Sequence, residues 1–162
     1  MGKRIILIAF VVVCFVILFS CAEEKPLDLN LQDLVETIGK EIDLSNTIEY
    51  EDTIQNELGI TEEIAVQLVV LKEIDVLSAK ILFLVEAVDK DAAKDIENKL
   101  KVYKNNKLNE LRDYTLNADN ERQYYMVDDS EIMVEQQYVF FAVNEQSKEI
   151  NDMIKEYIKN NK

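Results

Sequence analysis

Two pairs of apolar runs, each followed by a helical stripe, constrain this chain's fold more than any other feature. The first pair is Ile64–Ile74 and Ser78–Val88, and the second is Glu131–Glu135 and Tyr138–Asn144. Ile81, Phe83 and Val85 fall on one side of the second run, with Lys80 and Glu86 on the other. Such alternation predicts a strand with one buried face, because successive side chains point to opposite faces of a sheet. Val139, Phe141 and Val143 alternate in the same way with Tyr138, Phe140 and Ala142. Each pair reads as a hairpin. The connection at 73–77 lacks the Asn-Gly or Asp-Gly dipeptide of a two-residue turn, which leaves its geometry open.

The helices are read from spacing. Leu31, Leu34, Val35, Ile38 and Ile42 recur at helical intervals, with Asn30 or Asp28 available as the N-cap. Asp52–Leu58 is a short helix closed by Gly59. Asp89 opens a long helix whose stripe runs through Ala92, Ala93, Ile96, Leu100, Tyr103, Leu111 and Tyr114. Residues 115–130 lose periodicity and read as a loop. Ile150, Met153, Ile154, Tyr157 and Ile158 trace the last helix. The order is helix, short helix, then strand-strand-helix twice. The expected fold is of the α+β class. It is a four-stranded antiparallel sheet made of two hairpins, with helices packed on it in two layers. Ile81, Phe83, Phe141, Ile150 and Ile154 are candidate core residues.

The N-terminal stretch says where the chain works. Lys3 and Arg4 precede a run from Ile5 to Phe19 with no polar side chain, followed by Ser20, Cys21, Ala22, Glu23 and Glu24. A basic start, a short apolar stretch and a small residue at the junction make an export signal. Leu18-Phe19-Ser20-Cys21 resembles a bacterial lipobox. The expectation is a signal peptide over 1–20, cleavage between Ser20 and Cys21, and diacylglycerol on the Cys21 sulfur. The competing reading is an uncleaved membrane anchor, which needs about 20 apolar residues and is only just reached by stretching the run to Ala22. With cleavage, 21–27 is a lipid-anchored tether and 28–160 a single domain on the outer face of a bacterial membrane. Six extended residues span roughly 20 Å at about 3.4 Å each, so the body sits close to the bilayer.

Composition narrows the chemistry. The chain holds 32 acidic against 18 basic side chains, a net charge of −14, and the leader takes Lys3 and Arg4 from an already acidic body. A body without a basic face is not expected to bind nucleic acid. Histidine is absent, which removes imidazole-based metal sites, Ser-His-Asp triads and Cys-His dyads. The only cysteines are Cys14, inside the leader, and Cys21, so the body forms no disulfide. Of three glycines only Gly39 and Gly59 lie in the body, too few for a phosphate-cradling loop. No cofactor is expected.

With these features in place the chain resembles a family of small bacterial lipoproteins known as domain of unknown function 4358. The resemblance runs over roughly 21–160. It rests on Cys21, the opening helix with Asp28, Leu29, Leu31 and Leu34, and the Leu58-Gly59-Ile60 step. Ile81-Leu82-Phe83-Leu84, the Asp113-Tyr114 pair and Tyr138-Val139 complete it. It implies a lipid-anchored envelope protein and supplies no catalytic residue.

Two local features in 115–130 invite a functional reading. Asp128, Asp129 and Glu131, with Asp119 and Glu121 upstream, could offer oxygens to Ca²⁺ or Mg²⁺, but lack the EF-hand spacing and its central glycine. A solvated acidic segment is the simpler reading. Tyr124 and Tyr125 could form a recognition patch, since aromatic residues are favoured at interface cores; plugging one end of the sheet is the structural alternative. The function expected is noncatalytic binding of a protein partner at the cell surface, with the membrane held through Cys21. The alternative is a carboxylate-based cation-binding or hydrolytic domain.

Overall fold

The computed structural model describes residues 26–113 and 118–162. The proposed cleavage and lipid site at Ser20 and Cys21, the apolar leader and Tyr114 lie outside the described residues. In chain order the elements are α1 (Leu31–Ile38), β1 (Thr47–Glu49), α2 (Glu51–Leu58), β2 (Ala65–Glu73), β3 (Ile81–Ala87), α3 (Lys90–Asp113), α4 (Ala118–Asp128), β4 (Ile132–Glu135), β5 (Tyr138–Val143) and α5 (Ser147–Asn160). The fold is α+β, with one antiparallel sheet ordered β1-β2-β3-β5-β4. The two hairpins join through β3 and β5, with Phe83 opposite Phe141 and Glu86 opposite Tyr138.

The sheet has five strands rather than the expected four. The extra strand, β1, pairs Thr47, Ile48 and Glu49 with Glu73, Lys72 and Leu71 at the edge of β2. Three residues, none of them buried, are too few to show alternation. The stretch expected as a loop at 115–130 contains α4. Its apolar residues, Tyr124 to Val127, are contiguous instead of spaced by three and four, so no stripe is visible. Met126 and Val127 nonetheless bury themselves in the core.

The sheet is covered on both faces, which corrects the two-layer expectation. On one face Ile81, Phe83, Val85, Val139, Phe141 and Val143 pack with Ile54 of α2, with Ala93, Ile96 and Leu100 of α3, and with Met126 and Val127 of α4. On the other, Leu82, Leu84, Tyr138, Phe140 and Ala142 pack with Leu31, Leu34 and Ile38 of α1 and with Ile150, Ile154 and Ile158 of α5. The expectation of one buried face for the 78–88 run therefore fails at Leu82 and Leu84, both buried. Five successive apolar residues, Ile81 to Val85, belong in the middle of a sheet covered twice. The five candidate core residues are all buried.

The helix ends follow local chemistry. The Asn30 side chain accepts from the backbone N–H of Gln32 at 3.0 Å and of Asp33 at 3.2 Å, so Asn30 rather than Asp28 caps α1. Gly39 ends α1 instead of lying inside it. The Asp89 carboxylate accepts from Ala92 N–H at 2.8 Å and starts α3. Gly59 closes α2 with φ at 60°, a left-handed turn that side chains resist.

The start of the described chain is tied to the β4–β5 turn. Leu27 N–H donates to Gln136 Oε1 at 3.0 Å, and Gln137 Nε2 donates to the Leu27 carbonyl at 3.0 Å. The buried Tyr138 hydroxyl accepts from Leu29 N–H at 2.9 Å. Gln67 of β2 spans the next step: its Oε1 accepts from Leu31 N–H at 3.3 Å, and its Nε2 donates to the Leu29 carbonyl at 3.1 Å and to Glu86 at 2.5 Å.

Candidate functional site

At the other end of the sheet, β2 ends, β3 begins and β5 runs into α5. The β2–β3 register brings Glu73 beside Lys80, and Glu73 N–H donates to the Lys80 carbonyl at 3.2 Å. The Lys80 ammonium lies 3.4 Å from Glu73 and 3.1 Å from Glu145 in the turn after β5. Burial would lower the Lys80 pKa, but the hydrogen bond and charge of Glu145, with those of Glu73, outweigh it and hold the ammonium above its ordinary value. Burial likewise pushes the Glu145 carboxyl up. Its own backbone N–H, the Lys80 ammonium and the charge of Arg122 overcome that and keep it below the ordinary range.

This ion cluster divides a cleft. On the α1 and α5 side lies a hollow of about 200 Å³, with Ile42, Leu44, Leu71 and Ile150 among its walls. A second hollow of about 430 Å³ opens toward α4, with Arg122, Gln123 and Met126 on one wall and Ile74, Asp75 and Ser78 on the other. Asn46, Glu73, Lys80 and Glu145 line both. With the Glu73 and Glu145 carboxylates on the one Lys80 ammonium, the mouth of the cleft keeps a net negative charge.

The residues singled out in the sequence sit on α4 and just beyond it. Tyr124 and Tyr125 meet edge to face, with ring centroids 5.7 Å apart. Tyr124 packs against the core, so the structural reading holds for it, while Tyr125 is 55% exposed. Asp128, Asp129 and Glu131 are exposed where α4 ends. A lysine holds that end: Lys104 Nζ donates to the carbonyls of Asp128 at 2.8 Å and Ser130 at 2.6 Å, a cation at the negative end of a helix. Among the described residues no group of three or more aspartates, glutamates, cysteines or histidines is placed to hold a metal ion. Sequence reasoning missed Lys80, Glu73 and Glu145 as a cluster. Their meeting depends on the hairpin register and on a turn far along the chain.

These features define a small antiparallel α+β domain with a charged cleft at one sheet end. The sequence model of the family described as "Domain of unknown function (DUF4358)" matches residues 40–144, more than half of the chain, and the chain belongs to that family. The match covers the whole sheet with α2, α3 and α4. It leaves α1 and α5 outside, with the Asp28–Leu34 segment that the resemblance included. Neither the comparison with curated proteins nor that with solved structures found a match.

Proposed function

We propose that this chain is a lipid-anchored protein of the bacterial envelope that binds a protein partner without catalysing a reaction. The observation that carries the reading is the point at which the fold begins. Leu27 is already buried and hydrogen-bonded to the β4–β5 turn. Only five residues lie between it and Cys21, so diacylglycerol there holds the body within roughly 20 Å of the lipid surface. Two acyl chains suffice for stable anchoring. Tyr125, exposed on α4, offers an aromatic contact of the kind that interface cores favour.

The test has two parts. Cys21→Ser should leave the protein unprocessed or released, seen by membrane fractionation and intact mass; an unchanged mass and location would rule out the lipid anchor. A photo-crosslinking residue at Tyr125, in living cells, should capture a partner above the yield from a buried position such as Phe83. A yield equal to that control counts against α4 as part of the interface.

A further inference from the structure

Between β2 and β3 the chain turns through Ile74, Asp75, Val76 and Leu77, with Val76 81% and Leu77 76% exposed. Three large aliphatic side chains at one loop tip are unlike the single apolar residues scattered over an ordinary surface. The loop that carries them is held firmly. Ile74 N–H donates to the Asn46 carbonyl at 2.9 Å, and Ser78 N–H to the Asp75 carbonyl at 3.0 Å. Leu77 N–H donates to the Asp75 side chain at 3.0 Å, and Lys80 N–H to Ser78 Oγ at 3.2 Å. Ala79 N–H reaches across to Gln123 of α4 at 2.5 Å. A knob fixed in this way loses little freedom on docking.

We infer that this tip, resting on the partner-binding reading above, is the part of the chain that enters an apolar pocket, rimmed by lysine and arginine, on a protein partner. Two observations select that occupant. Leu27 enters the fold at the β4–β5 turn, whereas the tip lies at the opposite end of β3. A chain anchored through Cys21 thus carries the tip at its end farther from the lipid. The tip is also set in acid: Glu73, Asp75 and Glu145 outnumber Lys80 and Arg122 around its base, on a chain of net charge −14. That field repels an anionic lipid surface and a second copy, and attracts a basic rim.

The experiment uses the full chain in its own membrane, with a photo-crosslinking residue at Leu77 and, as control, at Val66, which is exposed near the other end of β2. The expected result is one protein adduct from Leu77, at least tenfold above Val66. Its crosslinked peptide should be apolar and flanked by lysine or arginine. Val76→Asp should lower that yield about tenfold with the melting temperature unchanged, because the side chain it replaces touches solvent. An adduct of lipid mass, an adduct of twice the chain's mass, a partner peptide without basic flanks, or a yield equal to that at Val66 would each overturn the proposal. A Tyr125 adduct without a Leu77 adduct removes the tip and leaves the partner-binding reading in place. Loss of both removes the two together.

Discussion

Tyr103 lies against Phe83, edge to face at 5.7 Å between centroids, and burial pushes its phenol up to about 12, with the charge of Glu57 adding to the shift. The folded state therefore favours the neutral phenol. Stability from this group is complete below the ordinary value of 10.0 and is lost as pH climbs toward about 12. Tyr103→Phe should flatten that alkaline decline, read as urea midpoints at about pH 9 and about pH 11. An unchanged slope would place the loss elsewhere. Tyr138 is a different case. Its phenol is also raised, by burial first and by Glu86 against the lowering effect of Leu29 N–H, yet its hydroxyl has a structural duty at Leu27 and Leu29. Tyr138→Phe leaves Leu29 N–H without its acceptor and should cost about 1–3 kcal/mol at neutral pH. Chemical denaturation would show it, and a cost near zero would mean that water replaces the hydroxyl.

Elements were legible in the sequence to the degree that their apolar residues kept a period. α3 and α5 bury the stripes at Ile96 and Leu100, and at Ile150, Ile154 and Ile158, that their spacing announces. β3 and β5 were found as strands, but Lys80 and Glu86 on the second side of the 78–88 run pointed to a solvent face, although Leu82 and Leu84 between them are buried. β1 and α4 were missed because one is three residues long and the other gathers its apolar residues into a single block. The cleft was not legible in the sequence: Tyr124 and Tyr125, singled out there, are not among the residues that line it. The Lys80 cluster depends on a seven-residue separation across a turn of unreadable type, and on Glu145 from another hairpin. Gly59 is a position where local chemistry could be read. Its φ of 60° makes Gly59→Ala pay the left-handed penalty of roughly 1–2 kcal/mol. A Cβ there would meet only the Lys99 ammonium, at 3.6 Å, so the backbone term decides the sign. Thermal or urea denaturation should show the loss; a neutral result would mean that the turn relaxes out of the left-handed region.

At the scale of the whole molecule, the family match and the layers divide the chain differently. Residues 40–144 hold the sheet and the helices on one face, while α1 and α5, which cover the other, lie outside that stretch. The sheet cannot stand without them. Leu82, Leu84, Tyr138 and Phe140 are all buried on the α1 and α5 face, and uncovering them would present a large apolar surface to water. α1 is also fastened to α5 through Asn30, whose carbonyl accepts from the Tyr157 hydroxyl at 3.2 Å, and to β2 through Gln67. Leu84→Ala and Phe83→Ala probe the two faces of one strand. If both faces are core, Leu84→Ala should cost about 2–5 kcal/mol and Phe83→Ala about 3–5 kcal/mol. Each variant should also unfold in a single transition, as expected of one domain this size. The decisive measurement is urea unfolding followed by both circular dichroism and tyrosine fluorescence. A Leu84→Ala cost below about 0.5 kcal/mol, typical of a surface site, would leave that face to solvent and return the fold to two layers. Coincident transitions with both costs in range would make α1 and α5 integral to the domain, though the family match stops short of them.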